Sequence, residues 1–405
     1  MNYSVQEVMQ YVNEEDVKFI RLAFCDVFGT QKNISIMPGE LQRAFEKGIA
    51  FDASAVRGFG DETRSDLFLR PDPATLSVLP WRPEHGRVVR MFCNITDPND
   101  RPFACDTRNI LKQAVAAAEE QGVSFSFGPE MEFYLFRTDD AGNRTNFPYD
   151  EAGYMDIAPE DRGENVRREI CLMLEQMGIQ PESSHHEEGP GQNEIDFRYS
   201  DPLTAADNTI TFLTVVKTVA GRNGLYADFS PKPLREQSGN GFHINLSAWR
   251  GAGEDLLSPV LAGVLEKISE ITAFLNPAEE SYRRFGVNKA PKYVSWSCEN
   301  RSQLVRVPAA VYDRKRLELR SPDPLANPYL AFALTIRAGL YGIEKGLTPP
   351  PPADINFFKA DEKTLREYRK LPETMSEAVA IMRESEWIRT ILPQAVIRLY
   401  AEKAI

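Results

Sequence analysis

Residues 184–198 of this 405-residue chain place acidic stretches on both sides of a Gly-Pro-Gly turn. Such a turn reverses the chain and brings Glu187 towards Glu194. After the turn, apolar Ile195 and Phe197 alternate with charged residues, which is typical of a strand with one buried face. The segment therefore predicts a hairpin whose Glu194 side chain points away from the apolar core. A hairpin with a solvated polar face would also explain this segment when it is considered alone.

The same pattern recurs in three further segments, at 128–136, 239–247 and 317–320. Their polar faces present Glu130, Glu132, His243 and Glu318. Four strands with apolar backs and polar fronts predict a curved sheet that lines a polar cavity. Carboxylates gathered there repel one another unless cations neutralise them. Five glutamates and one histidine are mostly hard oxygen ligands, which favour Mg²⁺ or Mn²⁺ over a structural zinc.

Arginines are frequent between residues 283 and 320. Arg301, Arg306 and Arg320 lie in strand-like runs bounded by apolar residues and prolines, where an unpaired charge is costly. Arginine in such a position suits two-point binding of a carboxylate or a phosphate. The chain has neither a Gly-x-x-x-x-Gly-Lys-Ser/Thr loop nor a Gly-x-Gly-x-x-Gly turn after a strand. Any ATP would therefore be held by metal ions and arginines.

Bulk composition restricts the partners of the chain. A formal net charge of -12 argues against general affinity for nucleic acid or anionic membranes. The five cysteines lack a metal-binding spacing and leave one unpaired, as expected for reduced thiols. The first residues form an acidic amphipathic stretch rather than a signal peptide, and the apolar runs are too short to span a bilayer. We therefore expect a cytoplasmic protein with no nucleic-acid or membrane partner.

Taken together, these segments resemble the signature blocks of type I glutamine synthetase. The matching blocks are Gly-Pro-Glu-x-Glu-Phe, His-His-Glu…Gly-Gln-x-Glu, a glycine-rich block ending in His, and Glu-x-Arg-x-Pro-Asp; they contain Glu130, Glu132, Glu187, Glu194, His243 and Glu318. The resemblance extends in family order from the N-terminus to the last helix. It implies an α+β fold with a small N-terminal β-grasp domain at 1–100 and a large catalytic domain at 101–405. A curved antiparallel sheet would line the active site, with helices outside it.

The resemblance also implies how the ligands divide among two or three Mg²⁺ or Mn²⁺ ions per site. Glu132, Glu187 and Glu194 would hold metal at the acyl end of the site. Glu130, His243 and Glu318 would hold the ion on the nucleotide phosphates. A single histidine on a strand is usually a core residue, but five partner glutamates favour a ligand role for His243.

Further site residues follow from the resemblance alone. The catalytic residues would be Asp52, Glu187, Arg284 and Arg301. The substrate-binding residues would be Glu132, Tyr154, Ser238, Gly239, Arg284 and Arg320. The nucleotide-binding residues would be Glu182, Ser247, Arg301, Arg306 and Arg316. An Asp in a loop is usually a turn former, but Asp52 matches a loop that completes a neighbouring subunit's site, which implies a ring-shaped homo-oligomer, a dodecamer in the family.

The chemistry that such a site supports is the activation of a carboxylate. A carboxylate and an amine do not condense in neutral water, because hydroxide is a poor leaving group. Transfer of the γ-phosphoryl group of ATP gives an acyl phosphate, and divalent ions and arginines stabilise the charge in that step. The resemblance implies an ATP-dependent ligase that joins the γ-carboxylate of L-glutamate to ammonia through γ-glutamyl phosphate. Such an enzyme serves glutamine synthesis and nitrogen assimilation.

Three positions depart from the family pattern around the amine and glutamate. Lys289 lies where the family has a glutamate that accepts a proton from ammonium, in a segment one residue shorter. Ala55 removes a hydroxyl from the same pocket, and Ser238 replaces an asparagine that helps to hold glutamate. An inward Lys289 would repel ammonium, whereas an outward one would leave Glu187, Asp52 or Glu188 to accept the proton.

Other functions remain open at this stage. A γ-glutamyl ligase for a different amine or a different acid would accommodate the three departures. A non-catalytic relative that binds metabolites is disfavoured because all six metal-ligand matches are present. A two-metal phosphohydrolase would explain the clustered carboxylates but neither the arginines nor the whole-chain match. The sequence does not specify the amine, the regulation, or whether the assembly has one ring or two.

Overall fold

The computed structural model describes residues 3–82, 84–309 and 315–403. Two β-sheets organise this part of the chain, one of six strands and one of ten. The first sheet contains β1 (Val17–Cys25), β2 (Gln31–Ile36), β3 (Ile49–Asp52), β4 (Asp66–Pro71), β5 (Ser77–Val78) and β6 (Arg87–Thr96). The second contains β7 (Val123–Thr138), β8 (Arg144–Pro148), β9 (Pro181–His186), β10 (Gln192–Phe197), β11 (Leu225–Asp228), β12 (Phe242–Arg250), β13 (Glu254–Asp255), β14 (Trp296–Cys298), β15 (Val305–Val307) and β16 (Leu317–Leu319).

The N-terminal sheet has the strand order β2-β1-β6-β4-β3, with β5 beside β6. Its central pair, β1 and β6, is parallel, and its other pairs are antiparallel. Helix α1 (Val5–Glu14) precedes β1 and begins with a capping box between Ser4 and Glu7. Helix α2 (Leu41–Lys47) connects β2 to β3. This is the β-grasp architecture that the resemblance implied, so the prediction of an α+β fold is confirmed for this region.

The C-terminal sheet has the order β14-β15-β16-β12-β7-β10-β9, with β8 and β11 also pairing with β7 and β13 with β12. Alternation along β7 and β12 buries one apolar row against the helices, including Phe127, Phe133, Phe242 and Ile244. The prediction of an antiparallel sheet needs one correction. Strands β14 and β15 are parallel, because the chain between them loops back before it re-enters the sheet at its edge.

Helices cover the outer side of this sheet. They are α3 (Thr107–Glu120), α4 (Glu164–Gln176), α5 (Pro202–Arg222), α6 (Leu257–Leu275), α7 (Glu279–Tyr282), α8 (Pro328–Glu344), α9 (Glu362–Leu365), α10 (Met375–Glu384), α11 (Glu386–Ile391) and α12 (Gln394–Glu402). Phe332 of α8 stacks on Phe127 of β7 with ring centres 4.5 Å apart. Helices α6 and α8 cross at two glycines, since a Cβ on Gly263 would come within 2.9 Å of the Gly342 Cα. No helix in the described ranges is long and apolar enough to cross a membrane.

A buried ionic network connects the N-terminal sheet to helices of the C-terminal region. Arg108, at the start of α3, forms ion pairs with Asp207 of α5 at 2.8 Å and with Asp72, after β4, at 2.9 Å. The Asn327 amide donates a hydrogen bond to the Val27 carbonyl at 3.0 Å. Breaking one partner of such a network leaves a buried charge unpaired, which is strongly destabilising. The network therefore fixes the N-terminal sheet against the helices that support the C-terminal sheet.

Candidate active site

The polar face of the C-terminal sheet collects its charged residues in rows. Glu194 of β10 lies opposite Glu132 of β7 on one side and His185 of β9 on the other. In the next row, Glu130 lies between Asp196 and His243. Directly paired residues of neighbouring strands point to the same face. The alternation in the sequence therefore becomes a set of carboxylates and imidazoles that face a common cavity.

This cavity has a volume of about 520 Å³ and is lined mostly by polar side chains. It brings together thirteen of the residues that the sequence and the resemblance single out: Glu130, Glu132, Tyr154, Glu187, Glu194, Ser238, Gly239, His243, Arg284, Arg301, Arg306, Arg316 and Arg320. Glu318 lies just behind this lining, fully buried, with its carboxylate 3.6 Å from the His243 Nδ1. The elements thus bring the six proposed metal ligands into one region of the molecule.

Besides Glu318, three of the predicted site residues do not line this cavity. Glu182 lies in an adjoining cleft of about 210 Å³ that shares Arg316 and Asp196 with the cavity. The Ser247 hydroxyl donates a hydrogen bond to the Lys315 carbonyl at 3.0 Å. Asp52 is exposed at the end of β3, where its carboxylate accepts a hydrogen bond from the Ser54 N–H at 3.0 Å. The role of Asp52 in a neighbouring subunit stays a prediction.

One group of potential metal ligands consists of Glu130, His243 and Glu318, whose ligand atoms lie within 4.8 Å of one another. His243 Nδ1 is 3.3 Å from a Glu130 oxygen. The other Glu130 oxygen accepts a hydrogen bond from the Asn245 amide at 2.7 Å, which fixes the carboxylate. Carboxylate oxygens and an imidazole nitrogen at this spacing suit a divalent cation.

Glu318 differs from the other carboxylates because cations of the chain surround it. Arg306 pairs with one of its oxygens at 2.6 Å, and Arg320 pairs with the other. Burial alone would raise the pKa of the Glu318 carboxyl, but Arg320, His243 and Arg306 outweigh burial and lower it to about 2. Glu318 is therefore ionised at any physiological pH, and it aligns two guanidinium groups at the edge of the cavity.

A second group consists of His185, Glu187 and Glu194, again with ligand atoms within 4.8 Å. Burial and the nearby carboxylates Asp196 and Glu132 raise the pKa of Glu194 well above its ordinary value. Burial also raises the pKa of Glu132, although Gly241 N–H donates to its carboxylate at 2.8 Å. The acids here have fewer cationic neighbours than Glu318 has. This excess of negative charge is what a bound cation would neutralise.

The sequence interpretation missed two ligand-type residues of this region. His185 contacts Glu187 through Nε2 at 3.1 Å. Asp196 forms a third group with Glu130 and Glu194, and burial together with Glu130 raises its pKa to about 7. Both could have been found from the alternation, because each lies an even number of residues from a side chain already assigned to this face. Glu187 itself lies just beyond the end of β9, and the resemblance assigned it rather than the alternation.

Arg284 also lines the cavity, and its side chain is buried. Its guanidinium donates to the Ser321 carbonyl at 2.9 Å and to the Arg320 carbonyl at 3.3 Å. Gly239 allows this close packing, since a Cβ there would come within 2.8 Å of the Arg284 Cγ. Burial lowers the pKa of Arg284, but an arginine remains charged at neutral pH. The result is a fixed cation near the carboxylates, suited to an anionic ligand.

Lys289 contributes to the cavity lining, and about half of its side chain is exposed to solvent. Its ammonium group forms an ion pair with Glu188. Its Nζ also lies 5.4 Å from the centre of the Tyr154 ring. The positive charge is therefore partly neutralised by the Glu188 carboxylate.

Comparisons with known proteins agree with this fold and this set of residues. The glutamine synthetase β-grasp domain matches residues 16–98, and the glutamine synthetase catalytic domain matches residues 104–404. The chain is 43% identical to a glutamine synthetase of Clostridium saccharobutylicum, over 98% of this chain and 93% of the relative. It is also 43% identical to a glutamine synthetase of Methanosarcina mazei, over 98% and 92%.

Two solved structures share the fold. A structure of GmaS in complex with ADP superposes with a TM-score of 0.89 and 29% identity, over 100% of this chain and 95% of that one. A cryo-EM structure of Plasmodium falciparum glutamine synthetase gives a TM-score of 0.86 at 21% identity, over 99% and 95%. The fold and the site define an ATP-dependent carboxylate–amine ligase. The chain belongs to the glutamine synthetase family, as the sequence blocks predicted.

Proposed function

We propose that the protein uses ATP to join ammonia to the γ-carboxylate of L-glutamate, and so makes glutamine for nitrogen assimilation. The observation that supports this function most directly is a single cavity with two groups of carboxylate and imidazole ligands facing fixed arginines. The relatives at 43% identity carry the same name over nearly their whole length. A phosphohydrolase would need the metal ligands but not a second anion site around Arg284.

The cations proposed for the site are Mg²⁺ or Mn²⁺, two or three per subunit. Glu132, Glu187 and Glu194 would hold ions near the acyl group, with His185 beside them. Glu130, His243 and Glu318 would hold the ion near the nucleotide phosphates. The donor set fits, because it consists mostly of carboxylate oxygens. Burial and repulsion from the neighbouring carboxylates both raise the pKa of Glu194, and a bound cation would relieve this repulsion. Bound divalent ions would neutralise the phosphates and polarise the transferred phosphoryl group.

The residues of the chain itself supply binding and orientation. We assign Arg301, Arg306 and Arg316 to the ATP phosphates. We assign Ser247 and the adjoining cleft with Glu182 to the rest of the nucleotide. Arg284, Arg320, Ser238 and Gly239 would hold glutamate. A γ-carboxylate oxygen attacks the γ-phosphorus of ATP and releases ADP. Nitrogen then attacks the acyl carbon, phosphate leaves, and Glu187 or Asp52 accepts the proton that nitrogen loses.

Asp52 supports a proposal about assembly. It lies in the N-terminal sheet region, exposed and away from the lining of its own subunit's cavity. We assign it to the site of a neighbouring subunit in a ring-shaped homo-oligomer, a dodecamer, located in the cytoplasm. Inactive Asp52→Ala subunits mixed with inactive Glu194→Gln subunits should then regain partial activity, since some junctions combine two intact halves. Light scattering that shows a fully active monomer would contradict this assignment.

The catalytic proposal is tested by measuring phosphate release and glutamine formation together. The expected result is that phosphate release requires ATP, glutamate, ammonia and a divalent ion at once, with one glutamine per phosphate. Phosphate release without glutamate would indicate a phosphohydrolase. Retained ligand binding without turnover would indicate a non-catalytic relative. For the Glu194→Gln variant, the matched control is Glu160→Gln, which removes an exposed carboxylate outside the cavity lining.

A γ-glutamyl ligase for another amine is the second candidate. The observation that favours it is Lys289 in the cavity lining, at the position where the family pattern has an acidic residue. Comparing ammonia with methylamine, ethanolamine and polyamines at fixed ATP and glutamate separates the two candidates. If one of these amines gives a far higher kcat/KM than ammonia, the assignment of glutamine as the product is wrong.

A further inference from the structure

The turn that carries Lys289 has an unusual and well-anchored conformation. Asn288 and Lys289 both have left-handed backbone angles, with φ of 46° and 63°. The Gly286 N–H donates to the Ala290 carbonyl at 2.9 Å, which closes the turn. Arg320 also donates a hydrogen bond to the Lys289 carbonyl at 3.4 Å. Consecutive left-handed residues other than glycine are uncommon and persist only where the surroundings fix them. The fold thus fixes the lysine backbone at the mouth of the cavity.

The Lys289 ammonium group occupies a small site with its own chemistry. Glu188 provides a carboxylate, which also accepts a hydrogen bond from the Ser238 hydroxyl at 3.3 Å. Tyr154 provides an aromatic face 5.4 Å from the nitrogen. A carboxylate together with an aromatic ring is the combination that binds a primary ammonium ion in many proteins. The contacts of Lys289 therefore show that this site can hold a primary ammonium group.

This small site adjoins the acids of the catalytic cavity. The Glu188 N–H donates to a Glu187 oxygen at 2.9 Å. The Tyr154 ring meets His185 edge-on, with ring centres 5.4 Å apart. His185 and Glu187 in turn form a ligand group with Glu194. An ammonium ion in the place of the Lys289 nitrogen would therefore lie next to the residues assigned to the acyl end.

We propose that Glu188 and Tyr154 form an entry site for ammonium and small primary alkylammonium ions, and that Lys289 occupies this site as a tethered competitor. The proposal rests on the proposed function and adds the substrate class and its regulation. Lysine ends in a primary alkylammonium group, so a site that holds it has room for carbon beside the nitrogen. Methylammonium should therefore enter the same site as ammonium.

The competition must be weak enough for the substrate to displace the lysine. The Lys289 side chain is 47% exposed and that of Glu188 is 35% exposed. Ion pairs this accessible to water contribute little to stability, because solvent screens them and both side chains lose freedom. Lys289 can thus leave Glu188 for solvent without unfolding its turn, and the amine then takes its place.

The test measures KM for ammonium and for methylammonium in a Lys289→Met variant, with Lys289→Gln as a second replacement. Removing a competitor of this strength should lower both KM values by about three- to fivefold, as a weak exposed ion pair allows. The KM for ATP should stay at the wild-type value. The control is Lys292→Met, which removes the same charge from the same segment but at an ion pair with Glu373, outside the cavity lining.

A second variant separates competition for Glu188 from a general loss of positive charge. Glu188→Gln should raise the amine KM, and adding Lys289→Met to it should give no further gain. An unchanged or higher amine KM in Lys289→Met overturns the proposal. The proposal is also overturned if Lys289→Met lowers the amine KM equally in the Glu188→Gln background, or if Lys292→Met lowers it as much as Lys289→Met does. If the wild-type protein forms no γ-glutamyl product with any amine, the proposed function fails too; if wild type is active and Lys289→Met is unaltered, only this inference fails.

Discussion

Two groups of acids and histidine lie close together in this protein, and they differ in how their charges are balanced. Asp150, Asp161 and His186 have ligand atoms within 4.8 Å of one another, as do His185, Glu187 and Glu194. By spacing alone, either group could hold a metal ion. Their hydrogen-bond partners show that the chain neutralises the first group more completely than the second.

The first group is neutralised within the fold. Arg167 pairs with both Asp161 oxygens, at 3.1 and 2.5 Å. His186 contacts Asp150 at 2.9 Å through one ring nitrogen and the Glu187 carbonyl at 2.7 Å through the other. Burial lowers the pKa of His186, but these two partners outweigh burial and raise it. Asp161 and Asp150 are thus neutralised by Arg167 and His186. These contacts also hold the β9–β10 hairpin against α4.

The second group is less completely balanced, because only one of its acids, Glu187, has a lowered pKa, where the hydrogen bonds from His185 and the Glu188 N–H outweigh burial. Glu194 faces Glu132, Glu187 and Asp196, and its pKa is raised by burial and then by these acids. Arg306 and Arg320 of the same cavity are already engaged with Glu318. Spacing alone therefore does not separate a group of acids that the fold neutralises from a group whose charge it leaves largely uncompensated.

The largest expected effect comes from Glu194→Gln, which keeps the size of the side chain and removes its charge. We expect turnover to fall by on the order of 10²–10³-fold, because a preorganised electrostatic group of the site is lost. The circular dichroism spectrum should stay that of the wild type. Full activity of this variant in excess chelator would remove the basis of the metal assignment.

The next effect concerns the neutralised group. Asp161→Asn leaves the buried Arg167 without its charged partner, so the free energy of unfolding should fall by about 3–5 kcal/mol. Chemical denaturation measures this change, and the remaining folded protein should keep the wild-type kcat. The neighbouring Glu160→Gln serves as the control, since Glu160 is exposed. A stability equal to that of the wild type would mean that the two groups do not differ as described.

A smaller effect of opposite sign is expected for Glu194→Gln in metal-free protein. Ionisation of Glu194 opposes folding, because burial and the neighbouring acids raise its folded pKa above the ordinary glutamate value. This penalty is absent below the ordinary pKa and grows as pH rises towards the raised one. The variant should therefore melt at an equal or slightly higher temperature than wild type in chelator at pH 7. A clearly lower Tm would contradict the view that these acids repel one another.

Much of this comparison could be predicted from the sequence, because period-two alternation places Glu130, Glu132, Glu194 and His243 on one face of the sheet. The partners of each group could not. Arg167 pairs with Asp161 only six residues away. It also donates a hydrogen bond to Asn193, 26 residues away, and only the packing of α4 on the hairpin brings these two together. Glu188 likewise meets Lys289 across a hundred residues of chain. Local pattern specifies which face a side chain takes, whereas charge balance depends on contacts between distant segments.

The most direct test of the central claim is Mn²⁺ binding to chelator-treated protein, followed by calorimetry and electron paramagnetic resonance. The account predicts at least two Mn²⁺ ions per wild-type chain, fewer in Glu194→Gln, and the wild-type number in folded Asp161→Asn. Such binding should also stabilise wild type against unfolding, by about 2.7 kcal/mol at a free metal concentration of one hundred times Kd. Equal Mn²⁺ binding by wild type and Glu194→Gln, or loss of binding in Asp161→Asn, would contradict it.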